Sequence, residues 1–283
     1  RIIVSGGYDA TLDNNFTGRY QTDANSSVVS PLSTLVTAVM DQGLSKEEAK
    51  TKVATAFGLP ANSDPTNYDP IAASLAGETS SSQFLLATAR MANAMKQADA
   101  LGSYLSVSTS SPGQVSASFV EELAKSLSNS LISSNPLDDS SVINQALVTS
   151  LQNVQSSVDV SQVSSAVTLL ESADNLLVQT INAGGEPNVL AVSLAKNQQA
   201  VDGAIINSYS DPTLTNLSTL AASASTSAIQ LASNAITLIN VFPPIAQNFD
   251  STVRRDSWST GSLVISINAS DGDGDTVLYN ITS

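Results

Sequence analysis

Residues 160–181, VSQVSSAVTLLESADNLLVQTI, carry the clearest structural signal in the chain. Their apolar residues recur at alternating intervals of three and four, the pattern of a helix that packs against other helices. The residues on this stripe are Val160, Val163, Val167, Leu170, Leu177 and Ile181. Asp174 occupies the one polar position of the stripe. The stretch therefore predicts a buried helix in a bundle, with a charged side chain at its seam.

The same helical period continues through most of residues 30–240. Ser45 and Glu48 form a capping-box pattern at the start of one helix, which is a strong N-terminal signal. From Asp211 to Leu238 the spacing of apolar residues is unbroken and predicts a single helix about 40 Å long. We therefore expect a mainly α fold, with a multi-helix bundle over residues 30–240.

The two ends of the chain show a different pattern. Residues 1–29 and 241–283 contain short segments in which apolar and polar residues alternate, as in strands. Isolated hairpins are at best marginally stable in water, so each end needs another strand as a partner. The sequence thus predicts three regions: a β segment at 1–29, which is a candidate donor of strands, the helical bundle at 30–240, and a second β region at 241–283. The candidate strand-pairing residues are Ile2, Ile3, Val4, Val264, Ile265 and Ile267.

The composition excludes several classes of function. The 283 residues contain no cysteine and no histidine, which removes disulfides, thiolate metal sites and histidine-based catalytic triads. The formal net charge of −14 argues against nucleic acid and anionic membranes as partners. No apolar run reaches the length of about 18 residues that a membrane span needs. Such an acidic chain, poor in lysine and arginine, favours an extracellular or cell-surface location as part of a longer or processed protein.

An aspartate-rich run near the end of the chain is a candidate metal site. Asp271, Asp273 and Asp275 alternate with glycines and supply the hard oxygen ligands that Ca²⁺ prefers. Three carboxylates this close repel one another unless a cation compensates them, which favours calcium over a plain Asp-Gly hairpin turn. Asp9 and Asp13 lie in a second oxygen-rich turn. There, ordinary turn chemistry is favoured over a second metal site.

Two segments resemble parts of large bacterial cell-surface adhesins and filament proteins. Residues 243–246 (PPIA) and 271–275 (DGDGD) are similar to the first half of a cadherin-like, Ig-like tandem repeat. Residues 6–9 (GGYD), 28–36 (VVSPLSTLV) and 58–60 (GLP) resemble a helical module inserted between such repeats. The resemblance implies a helical bundle flanked by short β segments that form or complete an Ig/cadherin-like β-sandwich, stiffened by Ca²⁺.

These observations favour a structural, non-enzymatic protein: a subunit or segment of a cell-surface filament, adhesin or surface layer. Strands in 1–29 are expected to complete the β region of the next copy, which gives head-to-tail assembly. Pairing within one chain, or with neighbouring β-repeats of a longer chain, is the alternative. A second hypothesis is a helical module that binds a small ligand or peptide in an apolar groove. A carboxylate-dependent hydrolase is disfavoured, since no acidic constellation points to one.

Overall fold

The computed structural model describes residues 1–6, 8–9, 14–15, 18–129, 135–211, 213–236, 245–246 and 269–270. The strands are β1 (Ile2–Ser5), β2 (Tyr8–Asp9), β3 (Asn14–Asn15), β4 (Arg19–Thr22), β5 (Ile245–Ala246) and β6 (Ala269–Ser270). The helices are α1 (Pro31–Asp41), α2 (Lys46–Ala56), α3 (Pro70–Leu75), α4 (Ser81–Tyr104), α5 (Gln114–Asn129), α6 (Ser140–Val154), α7 (Val163–Asn182), α8 (Pro187–Val201), α9 (Asn207–Tyr209), α10 (Leu217–Ser223) and α11 (Thr226–Asn234). A 3₁₀ turn (Pro136–Asp138) precedes α6, and a π-helical segment (Asp202–Ile206) joins α8 to α9.

Helix α4 is the central element of the bundle. It packs against α1, α3, α5, α7 and α8. Small side chains on its buried face let these neighbours approach closely: Ala87, Ala94 and Ala98 are at most 2% exposed. The helical bundle that the sequence predicts is therefore present.

The buried face of helix α7 is the apolar stripe from which the sequence predicts a bundle. Val163, Val167, Leu170 and Leu177 are all buried in the core. Asp174 is buried with them, on the side of α7 that faces α4. The predicted polar position in the seam is thus a buried charge, and its partner is a residue of α4.

The prediction of one long helix after Asp211 is wrong, because this stretch forms two short helices, α10 and α11. Ala224 ends α10, and Ser225 begins α11 by accepting a hydrogen bond from the backbone N–H of Ala228. Serine favours the N-cap over the interior of a helix, since its hydroxyl competes for backbone groups. The break lets both short helices bend onto α7.

The predicted Ig/cadherin-like β-sandwich is wrong. Within the described residues, the strands form separate two-stranded antiparallel ladders: β1 with β4, β2 with β3, and β5 with β6. A sandwich needs two packed sheets of several strands each. Each ladder here has only two strands, which are four residues long in β1 and β4 and two residues long in the others. Helix α1, rather than a second sheet, covers β4.

Helix length and hydropathy also bear on membrane association. In the described ranges, no helix combines the length and the apolar character that crossing a membrane requires. The predicted absence of a membrane span is confirmed to that extent.

Candidate functional site

Strand β1 is an edge strand with exposed apolar side chains. It pairs with β4 in antiparallel register, with Ile2 opposite Thr22 and Val4 opposite Tyr20. No strand of the described residues lies on its other side. The side chains of Ile2, Ile3 and Val4 are 41%, 49% and 42% exposed. An apolar edge of this kind is a template for pairing with a further strand.

The other edge of this ladder is closed by helix α1. The backbone N–H of Gln21 donates to Thr34 Oγ1 at 2.9 Å, and Ser33 Oγ lies 3.0 Å from the Gln21 carbonyl oxygen. These hydroxyls belong to the first turn of α1, where Ser30 and Ser33 form a capping box. Because both backbone groups of Gln21 are bonded to α1, the ladder cannot add a strand there.

The same bonds fix which backbone groups of β1 point outward. In antiparallel ladders, opposed pairs alternate between hydrogen-bonded and non-hydrogen-bonded geometry. Gln21 bonds away from β1, so its pair with Ile3 is of the non-hydrogen-bonded kind. The bond from Gly6 N to Gly18 O agrees with this alternation. Ile3 and Ser5 therefore direct their N–H and C=O groups to the open side of β1.

Ion pairs tie this ladder to the bundle. The guanidinium of Arg1, just before β1, donates to the carboxylate of Asp41 at the end of α1. Lys46 Nζ of α2 donates to Asp23 Oδ2 at 2.5 Å, directly after β4. This bond holds the pKa of Asp23 below its ordinary value. Because Ile2 lies opposite Thr22, both ion pairs are at the same end of the β1–β4 ladder and attach that end to helices α1 and α2.

The structure covers only part of the predicted strand-pairing set. Ile2, Ile3 and Val4 lie in β1 and pair with β4, and their pairing with a further β segment stays a prediction. Their predicted partners Val264, Ile265 and Ile267 lie outside the described residues, and their role stays a prediction. The linker residues Ile245–Ala246 pair with Ala269–Ser270, close to that predicted strand in sequence.

The predicted calcium ligands Asp271, Asp273 and Asp275 also lie outside the described residues, as does Asp13. The backbone of Asp9 pairs with Asn14 in the β2–β3 ladder. Within the described part of the chain, no cluster of three or more acidic residues could hold a metal ion. Calcium therefore remains a prediction from the sequence alone.

Buried charges inside the bundle serve its packing. Arg90 of α4 binds Asp174 through two bonds and also donates to Asp138. Burial raises the pKa of Asp174, and Arg90 acts against that rise. Asp99 accepts from the backbone N–H of Ser116 at 2.8 Å and so caps α5 from a neighbouring helix; burial raises its pKa as well. These carboxylates are thus engaged by a cation or by backbone donors inside the bundle.

Two clefts in the described residues bear on the ligand-binding hypothesis. One lies beside the stacked rings of Tyr68 and Phe84, whose centroids are 4.0 Å apart. The other lies between α7, α8 and α11. Both are open to solvent and lined in large part by polar side chains. They differ in this from the apolar groove expected for a helical module that binds a small ligand or peptide.

Comparison with protein-family models, with curated proteins and with solved structures gives no match. The resemblance to cadherin-like repeats and helical modules of bacterial adhesins is therefore overturned. No family model supports it, and the described residues are helical with short two-stranded ladders.

Sequence reasoning missed the residues that make β1 the open edge. Ser33 and Thr34 read only as polar residues in the first turn of α1, a usual place for hydroxyls. Their contact with Gln21 depends on how β4 packs over α1. The available signal was the closely spaced SxxST pattern at Ser30, Ser33 and Thr34, which offers more hydroxyls than one cap needs.

Proposed function

We propose that this protein is a structural, non-enzymatic connector of an extracellular assembly, and that copies join head to tail through the open edge of β1. The observation that carries the proposal is the one-sided β1–β4 ladder: its outer side is exposed and apolar, and its inner side is closed by α1. Strand addition to such an edge supplies main-chain hydrogen bonds as well as apolar contacts.

The strand that β1 receives is the predicted strand at residues 262–268 (SLVISIN) of a second copy. Leu263, Ile265 and Ile267 alternate in it with smaller residues, which gives one apolar face to lie against the exposed side chains of β1. The net charge of −14 opposes non-specific association of copies. A specific strand contact is therefore needed to hold them together.

A matched pair of variants at one position tests the proposal. Ile3→Pro removes an N–H group on the open side of β1. No hydrogen bond to β4 is lost, because the backbone N–H of Ile3 points away from β4. Ile3→Thr keeps this N–H, favours the strand conformation and makes the side chain polar. We expect the wild-type protein and Ile3→Thr to associate as concentration rises in sedimentation experiments, and Ile3→Pro to remain monomeric with an unchanged circular dichroism spectrum.

A peptide of residues 262–268 provides the second arm. It is expected to bind the wild-type protein and stop its association, and to leave Ile3→Pro unaffected. Association of Ile3→Pro equal to that of the wild type would refute strand addition at β1. A wild-type protein that stays monomeric and ignores the peptide would instead favour pairing within one chain.

A further inference from the structure

The cleft between α7, α8 and α11 has the dimensions of a small-ligand site. Its volume is about 410 Å³, within the range of about 300–1,000 Å³ that is typical of such sites. It lies between the C-terminal end of α7, the first three turns of α8 and one face of α11. This part of the molecule is separate from the β1 edge in sequence and takes no part in the proposed assembly.

A chain of buried hydrogen bonds forms the floor of this cleft. Ser233 Oγ of α11 donates to Asn197 Oδ1 of α8 at 2.6 Å, and Asn197 Nδ2 donates to Thr180 Oγ1 of α7 at 2.5 Å. Asn197 and Ser233 are 2% and 3% exposed. Each member has a partner, so the network fixes the three helices relative to one another. The side-chain amide of Asn197 has two N–H groups, of which one donates to Thr180.

Lys196 supplies the one positive charge among the cleft residues. The other lysines of the described residues each donate to a carboxylate or, for Lys52, to a backbone carbonyl. No carboxylate in those residues forms a salt bridge with Lys196, although acidic residues outnumber basic ones 25 to 11 in the chain. An ammonium group in a cleft without a protein counter-ion favours an anionic ligand.

The remaining walls combine side-chain amides with aliphatic groups. Gln179, Gln230 and Asn234 contribute side-chain amides. Gln230 Nε2 donates to Asn234 Oδ1 at 3.1 Å, so this pair offers mainly the Gln230 carbonyl oxygen as an acceptor and the Asn234 amide as a donor to a peptide group. Val189 and Leu190 form an apolar wall at the start of α8. Aromatic rings, on which sugars commonly stack, are absent from the residues that line this cleft.

We propose that the cleft binds the C-terminal end of a peptide. The terminal carboxylate pairs with Lys196, the last peptide groups bond to the side-chain amides and to Asn197, and a small aliphatic last side chain packs on Val189 and Leu190. The ligand class follows from this combination of one cation, several amides and one aliphatic wall.

N-acetyl-glycyl-valine and its C-terminal amide are the matched probes, because they differ only in the terminal charge. We expect the acid to bind the full chain saturably, with a Kd of about 1 mM or tighter, and the amide to bind about tenfold more weakly. Lys196→Gln should abolish this preference for the acid. Lys125→Gln is the control, since Lys125 is partly exposed and pairs with Glu122 of α5, away from the cleft residues; it should leave both affinities unchanged.

Binding is measured by isothermal titration calorimetry, with circular dichroism to verify that both variants fold. Equal affinity for acid and amide, or an unchanged preference in Lys196→Gln, would overturn the proposal. Absence of saturable binding would overturn it as well. Glucuronate is the third probe: if it binds as tightly as the peptide acid, the cleft recognises acidic sugars and the peptide assignment is wrong.

Discussion

Arg90 and Asp174 form a buried, two-bond ion pair that joins the centres of α4 and α7. Arg90 Nε and Nη2 each lie 2.6 Å from one carboxylate oxygen of Asp174, and the side chains of both residues are 8% exposed. Asp138 adds a second carboxylate to the guanidinium from the 3₁₀ turn before α6. One arginine therefore sets the relative position of three segments of the bundle.

Removal of only the arginine should destabilise the fold strongly. Arg90→Met leaves the carboxylate of Asp174 buried without its cation, which we expect to cost about 3–5 kcal/mol in the free energy of unfolding. The double variant Arg90→Met/Asp174→Leu replaces both charges with apolar groups and should recover most of that loss. Urea denaturation followed by circular dichroism measures both values.

The pH dependence of Arg90→Met supplies a further check. Without arginine, burial raises the pKa of Asp174 beyond its unfolded value, so its protonated form favours the folded state and stability declines as pH rises. The deficit of Arg90→Met should therefore shrink as pH falls from neutral towards 4. A deficit that is independent of pH, or a double variant as unstable as the single one, would contradict a charge-pairing role.

Asp64 should contribute to stability in the opposite pH direction. Burial acts to raise its pKa, but hydrogen bonds from Thr66, Asn67 and Lys50 outweigh it and hold the pKa at about 2. A lowered pKa in the folded state stabilises the fold above the unfolded value of about 3.9, and this contribution is lost as pH falls through 2. Asp64→Asn should therefore cost roughly 1–2 kcal/mol at neutral pH, after allowance for partial exposure.

The measurement for Asp64 is the urea midpoint of wild type and variant from pH 7 to pH 2. The two curves should approach each other at the acidic end, where about half of the wild-type Asp64 carboxylate is protonated. A gap that stays constant over this range would show that the variant acts through packing. Asp159→Asn is the comparison: the backbone and side chain of Ser161 also hold the pKa of Asp159 below its ordinary value, but at a fully exposed turn, so its pH-dependent effect should be smaller than that of Asp64→Asn.

Gly102 should be intolerant of even one added methyl group. A Cβ at Gly102 of α4 would lie 2.7 Å from Val115 Cγ2 of α5, so the helices must separate or Val115 must shift. We expect Gly102→Ala to lower the unfolding free energy by about 1–2 kcal/mol, despite the higher helix propensity of alanine. Gly102→Ala/Val115→Ala removes the clash and should recover part of the loss.

Gly203 in the π-helical segment is the matched control for this prediction. A Cβ there meets no atom within 4 Å, so Gly203→Ala should be neutral or stabilising by up to about 1 kcal/mol. Thermal or urea unfolding of the set gives the comparison. If Gly102→Ala proves as stable as Gly203→Ala, the contact of α4 with α5 is looser than the distance implies.

The calcium prediction from the sequence can be tested independently of the fold. Asp271, Asp273 and Asp275 are expected to bind Ca²⁺, and replacement of all three by asparagine should abolish the heat of binding in calorimetry. Asn keeps the hydrogen-bonding shape but removes the charge on which calcium affinity depends. Equal calcium binding by the wild type and the triple variant would exclude these residues as ligands.

Local signals in the sequence predict the helices well. The capping box at Ser45 and Glu48 is formed as predicted, because a cap involves residues only a few positions apart. The stripe in α7 also predicts a polar position at Asp174. Its partner Arg90 lies 84 residues away, and no periodicity within one helix encodes which distant residue faces it.

Long-range packing explains why some of the predictions from the sequence fail. A repeating spacing of apolar residues from Leu214 to Leu238 does not distinguish one long helix from two short ones, and the N-cap at Ser225 decides for two. The cleft beside Lys196 is likewise invisible in the sequence, since it arises where α7, α8 and α11 meet. The strands at the N-terminus were predicted, whereas the sandwich rested on resemblance and is not formed.

The hydroxyl contacts of Ser33 and Thr34 with Gln21 have a geometric consequence for any polymer of this chain. A protomer whose ladder accepts a neighbour on only one side offers a single docking position there. Branch points would need a second such position on the same ladder. An array built through β1 is thus expected to be an unbranched thread with two unlike tips, and a peptide that occupies β1 blocks only the tip at which that edge is free.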